Sequence, residues 1–180
     1  MAVKPERLRL FYALWPPAPV AESLARWGRA VAQDCGGRAL APEAIHLTLA
    51  FLGWLPPERL GAARAAGAAA RGEVHALVLD RVRYQARSGI VWAECSQPPA
   101  ALAALAASLT ACLSGSGFGL EARPFAPHVT LVRRARPAAE LAPLPPTDWP
   151  VQEFALVRSR LGSERAVYET LERFPLRLAR

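Results

Sequence analysis

The pattern His-x-Thr-x stands twice in this 180-residue chain, as His46-Leu47-Thr48-Leu49 and His128-Val129-Thr130-Leu131, and takes up two of its three histidines. Side chains two apart on an extended strand point to one face, so each copy presents an imidazole beside a hydroxyl while Leu or Val turns to the core. Imidazoles titrate near neutral pH, and two of them can divide the work of acid and base. Two hydroxyls beside them can hold a phosphoryl oxygen. One such strand is weak evidence, because half-buried strands alternate polar and apolar residues by chance; the repetition is what points to a site. His75 has no such companion and reads as a scaffold residue.

The elements that must position these motifs follow from periodicity and breakers. Residues 7–14 are a β-rich run stopped by Trp15-Pro16-Pro17. Val20, Leu24, Trp27 and Val31 form a helical stripe over 20–33, closed by Gly36-Gly37. The first motif strand covers 45–53, and Pro56-Pro57-Glu58 opens an Ala-rich helix to about residue 71. Strands are predicted over 74–84 and 90–95, joined across Arg87-Ser88-Gly89, then a helix over 98–113 and the second motif strand over 126–133. The Pro-rich stretch 136–150 reads as a stiff, exposed, irregular loop, and 151–161 with 166–174 as a closing hairpin around Gly162-Ser163. Strand, helix, motif strand occurs in each half. The fold class expected is α+β, with two pseudo-symmetric lobes whose antiparallel sheets face a central cleft, helices outside, all in one two-lobed domain over residues 1–180.

A net charge of +7 and a pI near 10.3 favour an anionic partner. Among the 22 basic residues Lys4 is the one lysine, and the guanidinium fork suits phosphate better than ammonium does. Abundant Ala, Arg, Gly and Pro also point to a composition bias of the source genome. Three widely spaced cysteines fit neither a disulfide framework nor a zinc site and suit a reducing cytoplasm. No apolar stretch approaches the ~20 residues of a membrane span. A cytoplasmic, monomeric protein with no membrane association is expected.

The motif stretches IHLTLAFLG (45–53) and PHVTLVR (127–133), with RLFYAL (9–14) and the pair Val157-Arg158-Ser159 and Tyr168, resemble the 2H phosphoesterase superfamily, and within it the RNA 2′,3′-cyclic phosphodiesterases, over nearly the whole length. The resemblance implies opening of a 2′,3′-cyclic phosphate at an RNA end or on a nucleotide, with His46 as proton donor to the leaving 3′ oxygen and His128 as acceptor from water. Thr48, Thr130 and Arg133, five residues past His128, would stabilise charge growing on the phosphoryl oxygens. Phe11, Tyr12 or Trp15 would stack a terminal base, with core packing the competing reading for Phe11, and Tyr168, on the closing hairpin, is a further candidate substrate contact. No cofactor and no metal is expected, since no Asp, Glu or Cys sits at ligand spacing beside either motif histidine. Two rivals stand: the reverse reaction, ligation to a 5′-hydroxyl, and a module that binds RNA or nucleotide phosphates without turnover.

Overall fold

A computed structural model describes residues 7–120, 124–137, 140–162 and 166–178. Its strands are β1 (Leu8–Leu14), β2 (Arg38–Ala39), β3 (Leu47–Leu55), β4 (His75–Leu79), β5 (Arg81–Gln85), β6 (Ile90–Glu94), β7 (Val129–Arg133), β8 (Thr147–Val151), β9 (Glu153–Leu161) and β10 (Ala166–Pro175). The helices are α1 (Ala18–Cys35), α2 (Leu60–Ala69) and α3 (Ala100–Gly115). One sheet runs β10-β9-β1-β3-β7-β6-β5, with β2 on β7, and every pairing in it is antiparallel. Its two halves meet at one residue pair, Leu47 opposite Val129. The lobes are therefore β10-β9-β1-β3 and β7-β6-β5, hinged on the two motif strands.

Two of these helices, α1 and α3, each leave one lobe and cover the other. α1 follows β1 yet packs on β7 and β2, while α3 follows β6 yet packs on β3. In α1 Leu24, Ala25, Gly28 and Val31 form the buried stripe, and a left-handed Gly36 ends the helix. Gly28 brings this helix close to the sheet: a Cβ there would sit 3.3 Å from the Leu131 carbonyl oxygen. α3 is apolar nearly all round and buries Leu102, Leu105, Leu109 and Leu113 completely, each such burial contributing about 1.5–3 kcal/mol.

Two expectations need correction. The run 74–84 is not one strand: it breaks at Asp80, whose carboxylate accepts the Ser96 backbone N–H at 2.7 Å and the Ser96 hydroxyl at 2.5 Å. Before the break β4 pairs with β8 in a separate two-stranded sheet; after it β5 pairs with β6. The Pro-rich stretch is not simply an exposed loop either. It ends in β8, an outer strand that tolerates Pro150, and it buries Leu144 and all of Trp149. The closing hairpin is β9 with β10; Ser163 in its turn lies outside the described residues.

Candidate active site

Leu47 and Val129 are both wholly buried and directly opposed across the junction of the lobes. Residues one position to either side point the other way, and antiparallel register continued by one residue sets Thr48 across from His128 and His46 across from Thr130. All four motif side chains thus share the open face, with cross-strand Cβ separations of about 5 Å. No sequence motif states this pairing. It is the sheet that makes one site of two copies.

Both imidazoles are set the same way. His46 Nδ1 lies 2.8 Å from the Ala44 carbonyl and His128 Nδ1 lies 2.9 Å from the Ala126 carbonyl, each two residues back. A carbonyl can only accept, so Nδ1 carries the proton in each ring and Nε2 is left for chemistry. Each ring also has an indole neighbour: Trp15 at 5.3 Å from His46 and Trp92 at 5.5 Å from His128, ring centre to ring centre. Trp92 is held by a 3.1 Å bond from its Nε1 to Glu94. His46 sits in a further collar, with Phe11 and Tyr168 both at 5.0 Å. Burial in that collar is the main reason its pKa falls to about 4; the Ala44 bond opposes the fall, and the nearby Arg133 and His128 add to it. His128 is exposed by comparison.

A cleft of about 1070 Å³ opens beside the pair, lined by His46 and Thr48, by Phe11, Phe51 and Tyr168 from one lobe, and by Arg38, Arg133 and Arg134 from the other. Regular alternation cannot deliver this lining. An odd spacing of five from His46 to Phe51, and from His128 to Arg133, puts the later residue on the wrong face of a flat strand. A β-bulge corrects the parity in each motif strand. Tyr12 pairs with Ala50 and Ala13 with Thr48, leaving Leu49 extra; Val91 pairs with Val132 and Trp92 with Thr130, leaving Leu131 extra. The carbonyl of Leu131 is taken by the Leu40 N–H at 2.8 Å. Both bulged leucines are buried, and both fifth residues turn to the cleft.

Most residues singled out from the sequence come together here. Tyr12 does not. It is fully buried between Phe154 and Phe174 at 6.1 and 6.2 Å, and its hydroxyl donates to the Ala63 carbonyl, so it is a core residue that no substrate reaches. β1 explains the error: Phe11 and Tyr12 are adjacent and must face opposite ways. Phe11 faces the cleft but is 3% exposed and packs on His46 and Tyr168, so it shapes the histidine's surroundings more than it offers a stacking face. Sequence reading missed Phe51, which is 44% exposed at the cleft with the Arg9 guanidinium 4.8 Å from its ring centre, and Arg9 itself bonds Ser159 at 3.0 Å. It also missed Trp92 and Arg134; the first was visible only as a strand aromatic. His75 stands apart on β4, its Nδ1 spent on the Glu73 carbonyl.

Residues 16–163 match the 2′-5′ RNA ligase superfamily. The RNA 2′,3′-cyclic phosphodiesterase of Escherichia coli is 36% identical over 95% of this chain and 98% of its own length, and that of Thermus thermophilus is 35% identical over 94% and 91%. The crystal structure of E. coli LigT complexed with 3′-AMP superposes with a TM-score of 0.87 at 35% identity, covering 95% of this chain and 99% of that one. With both His-x-Thr-x strands inside the matched region, the chain belongs to the 2′-5′ RNA ligase superfamily.

Proposed function

We propose that this protein hydrolyses 2′,3′-cyclic phosphate ends of RNA, leaving a 2′-phosphate, without a metal ion. The observation that carries the reading is the convergence of His46, Thr48, His128 and Thr130 on one open face across the Leu47–Val129 pair, with each imidazole anchored through Nδ1 to a backbone carbonyl. Two relatives that align over more than nine-tenths of this chain, at 36% and 35% identity, bear the name of that activity.

In the proposed step a water attacks phosphorus while His128 Nε2 takes its proton, the P–O3′ bond breaks, and His46 Nε2 returns a proton to the 3′ oxygen. Thr48, Thr130 and Arg133 face the non-bridging oxygens, where negative charge grows. A pKa near 4 leaves His46 neutral in the empty cleft, so substrate must load it. A phosphate beside Arg133 does that: it cancels the guanidinium's repulsion and favours the imidazolium. Phe11 and Tyr168 keep His46 in place, and Phe51 on Arg9 offers the exposed aromatic face for a base. The site is read as that of a cytoplasmic monomer.

Purified protein is incubated with a short RNA ending in 2′,3′-cyclic phosphate, with excess chelator, and the product end is mapped. The expected product is a 2′-phosphate; a joined 2′-5′ product would establish the ligase, and unchanged RNA the binding module. His46→Ala and His128→Ala should each lose about 10²–10⁴-fold. Sulfur in place of the bridging 3′ oxygen leaves without protonation, so it should restore the rate of His46→Ala and not of His128→Ala. Rescue of His128→Ala instead reverses the two roles.

A further inference from the structure

We infer that Arg134 forms a second phosphate subsite, which holds the phosphodiester preceding the cyclic end and so makes an RNA chain, and not a mononucleotide, the preferred form of the substrate. The inference rests on the hydrolase reading above and goes beyond it in naming how much of the substrate the cleft grips.

Arg134 is the one non-glycine residue with positive φ among those described, at 56°. Its Cβ makes that conformation unfavourable, and Gly or Asn would adopt it freely. The chain is forced into it from both sides. Immediately after the turn, Ala135 N–H is bonded to the Gly89 carbonyl and Arg136 N–H to the Cys35 carbonyl, each at 2.8 Å, so the backbone must swing out of β7 within one residue. That geometry sets the turn but does not ask for an arginine in it. The side chain supplies the reason: it lines the cleft, is exposed, and has no carboxylate within ion-pair distance among the described residues.

Charge in the cleft exceeds what one cyclic phosphate needs. Among the described residues Arg9, Arg38, Arg133 and Arg134 line it against a single carboxylate, Glu43. A cyclic phosphodiester carries one negative charge, and Arg133, close enough to depress His46, is positioned to meet it. Arg134 is the next residue beyond, on a strand end directed away from the histidine pair. Strand rise places it about 3 Å further along the backbone, and its side chain extends that reach toward the phosphate that precedes the cyclic end. At about 1070 Å³ the cleft is also at the upper end of what one drug-sized ligand fills.

The test compares an RNA trinucleotide ending in 2′,3′-cyclic phosphate with a 2′,3′-cyclic mononucleotide, for wild type, Arg134→Gly and Arg134→Lys. Glycine keeps the left-handed turn while deleting the guanidinium, so the melting temperature of Arg134→Gly should equal or exceed that of wild type, which excludes unfolding as the cause of any loss. The preference for trinucleotide over mononucleotide, as a ratio of kcat/KM, should fall about tenfold in Arg134→Gly. The slope of log affinity against log salt for a 3′-phosphorylated trinucleotide should shrink by about 0.7, the share of one phosphate on a single strand. Arg134→Lys should keep that slope. An unchanged ratio and an unchanged slope in Arg134→Gly would overturn the inference. Were wild type to hydrolyse neither substrate, the hydrolase reading would fall, whereas the salt slope of trinucleotide binding would still decide the fate of the Arg134 subsite.

Discussion

His46 and His128 occupy equivalent positions and have unequal surroundings. Nδ1 of each is anchored to a carbonyl two residues back, yet only His46 is enclosed by Phe11, Trp15 and Tyr168. Enclosure favours the neutral ring, and its consequence for pH has a definite sign. The ordinary value of 6.5 describes the unfolded chain and about 4 the folded one, so between those values the unfolded state binds more protons. Stability from this group is fully present above pH 6.5 and is lost as pH falls toward 4. The denaturation midpoint of wild type should therefore drop across that window, and His46→Gln should flatten the drop; an equal slope in both would show that His46 is not held neutral. Titration of the His46 ring by NMR, empty and with bound inorganic phosphate, should show its pKa rising with the anion.

At the scale of elements, the two bulges matter as much as the two motifs. Leu49 and Leu131 each insert one residue after His-x-Thr, and only with that insertion do Phe51 and Arg133 reach the cleft. The end of β7 is further fixed by its fit against the α1–β2 connection. Gly37 has no room for a methyl group: a Cβ there would lie 2.5 Å from Val132 Cγ1 and 2.9 Å from the Arg133 carbonyl. Gly37→Ala should push the β7 end outward and carry Arg133 with it. A loss of about 1–3 kcal/mol is expected from the overpacking, seen as a lower denaturation midpoint, together with a raised KM at the cyclic phosphate. Normal KM with lowered stability would show that Arg133 does not depend on this contact.

Across the whole molecule, the crossing of helices ties the lobes together. α1 leaves the β1 side and lies on β7, and α3 leaves the β6 side and lies on β3, so each motif strand is backed by a helix from the opposite half. Separate unfolding of one lobe would strip the backing from the other's motif. The chain should unfold in one transition, with coincident curves from far-ultraviolet circular dichroism and tryptophan fluorescence. Leu109→Ala, at a wholly buried site in α3, should cost about 2–5 kcal/mol and shift both curves together. Two separated transitions would contradict the interlock.

Local sequence pattern is enough to reveal the two His-x-Thr-x strands and the kinds of element. His46, Thr48, His128 and Thr130 were legible because strand alternation is local physics, and the helices and most strands were legible from apolar spacing and from Gly and Pro. Tertiary structure decided the rest, for reasons that no single segment contains. Pairing Leu47 with Val129 joins residues 82 positions apart, as the two numbers show, and depends on which edges are left open. Which of Phe11 and Tyr12 faces the cleft depends on the register of β1, and the break at Asp80 depends on a distant Ser96. The bulges that aim Phe51 and Arg133 exist only relative to neighbouring strands, since an extra residue is extra only against a partner. The left-handed turn at Arg134 is imposed by bonds to Gly89 and Cys35, which the sequence near Arg134 does not announce.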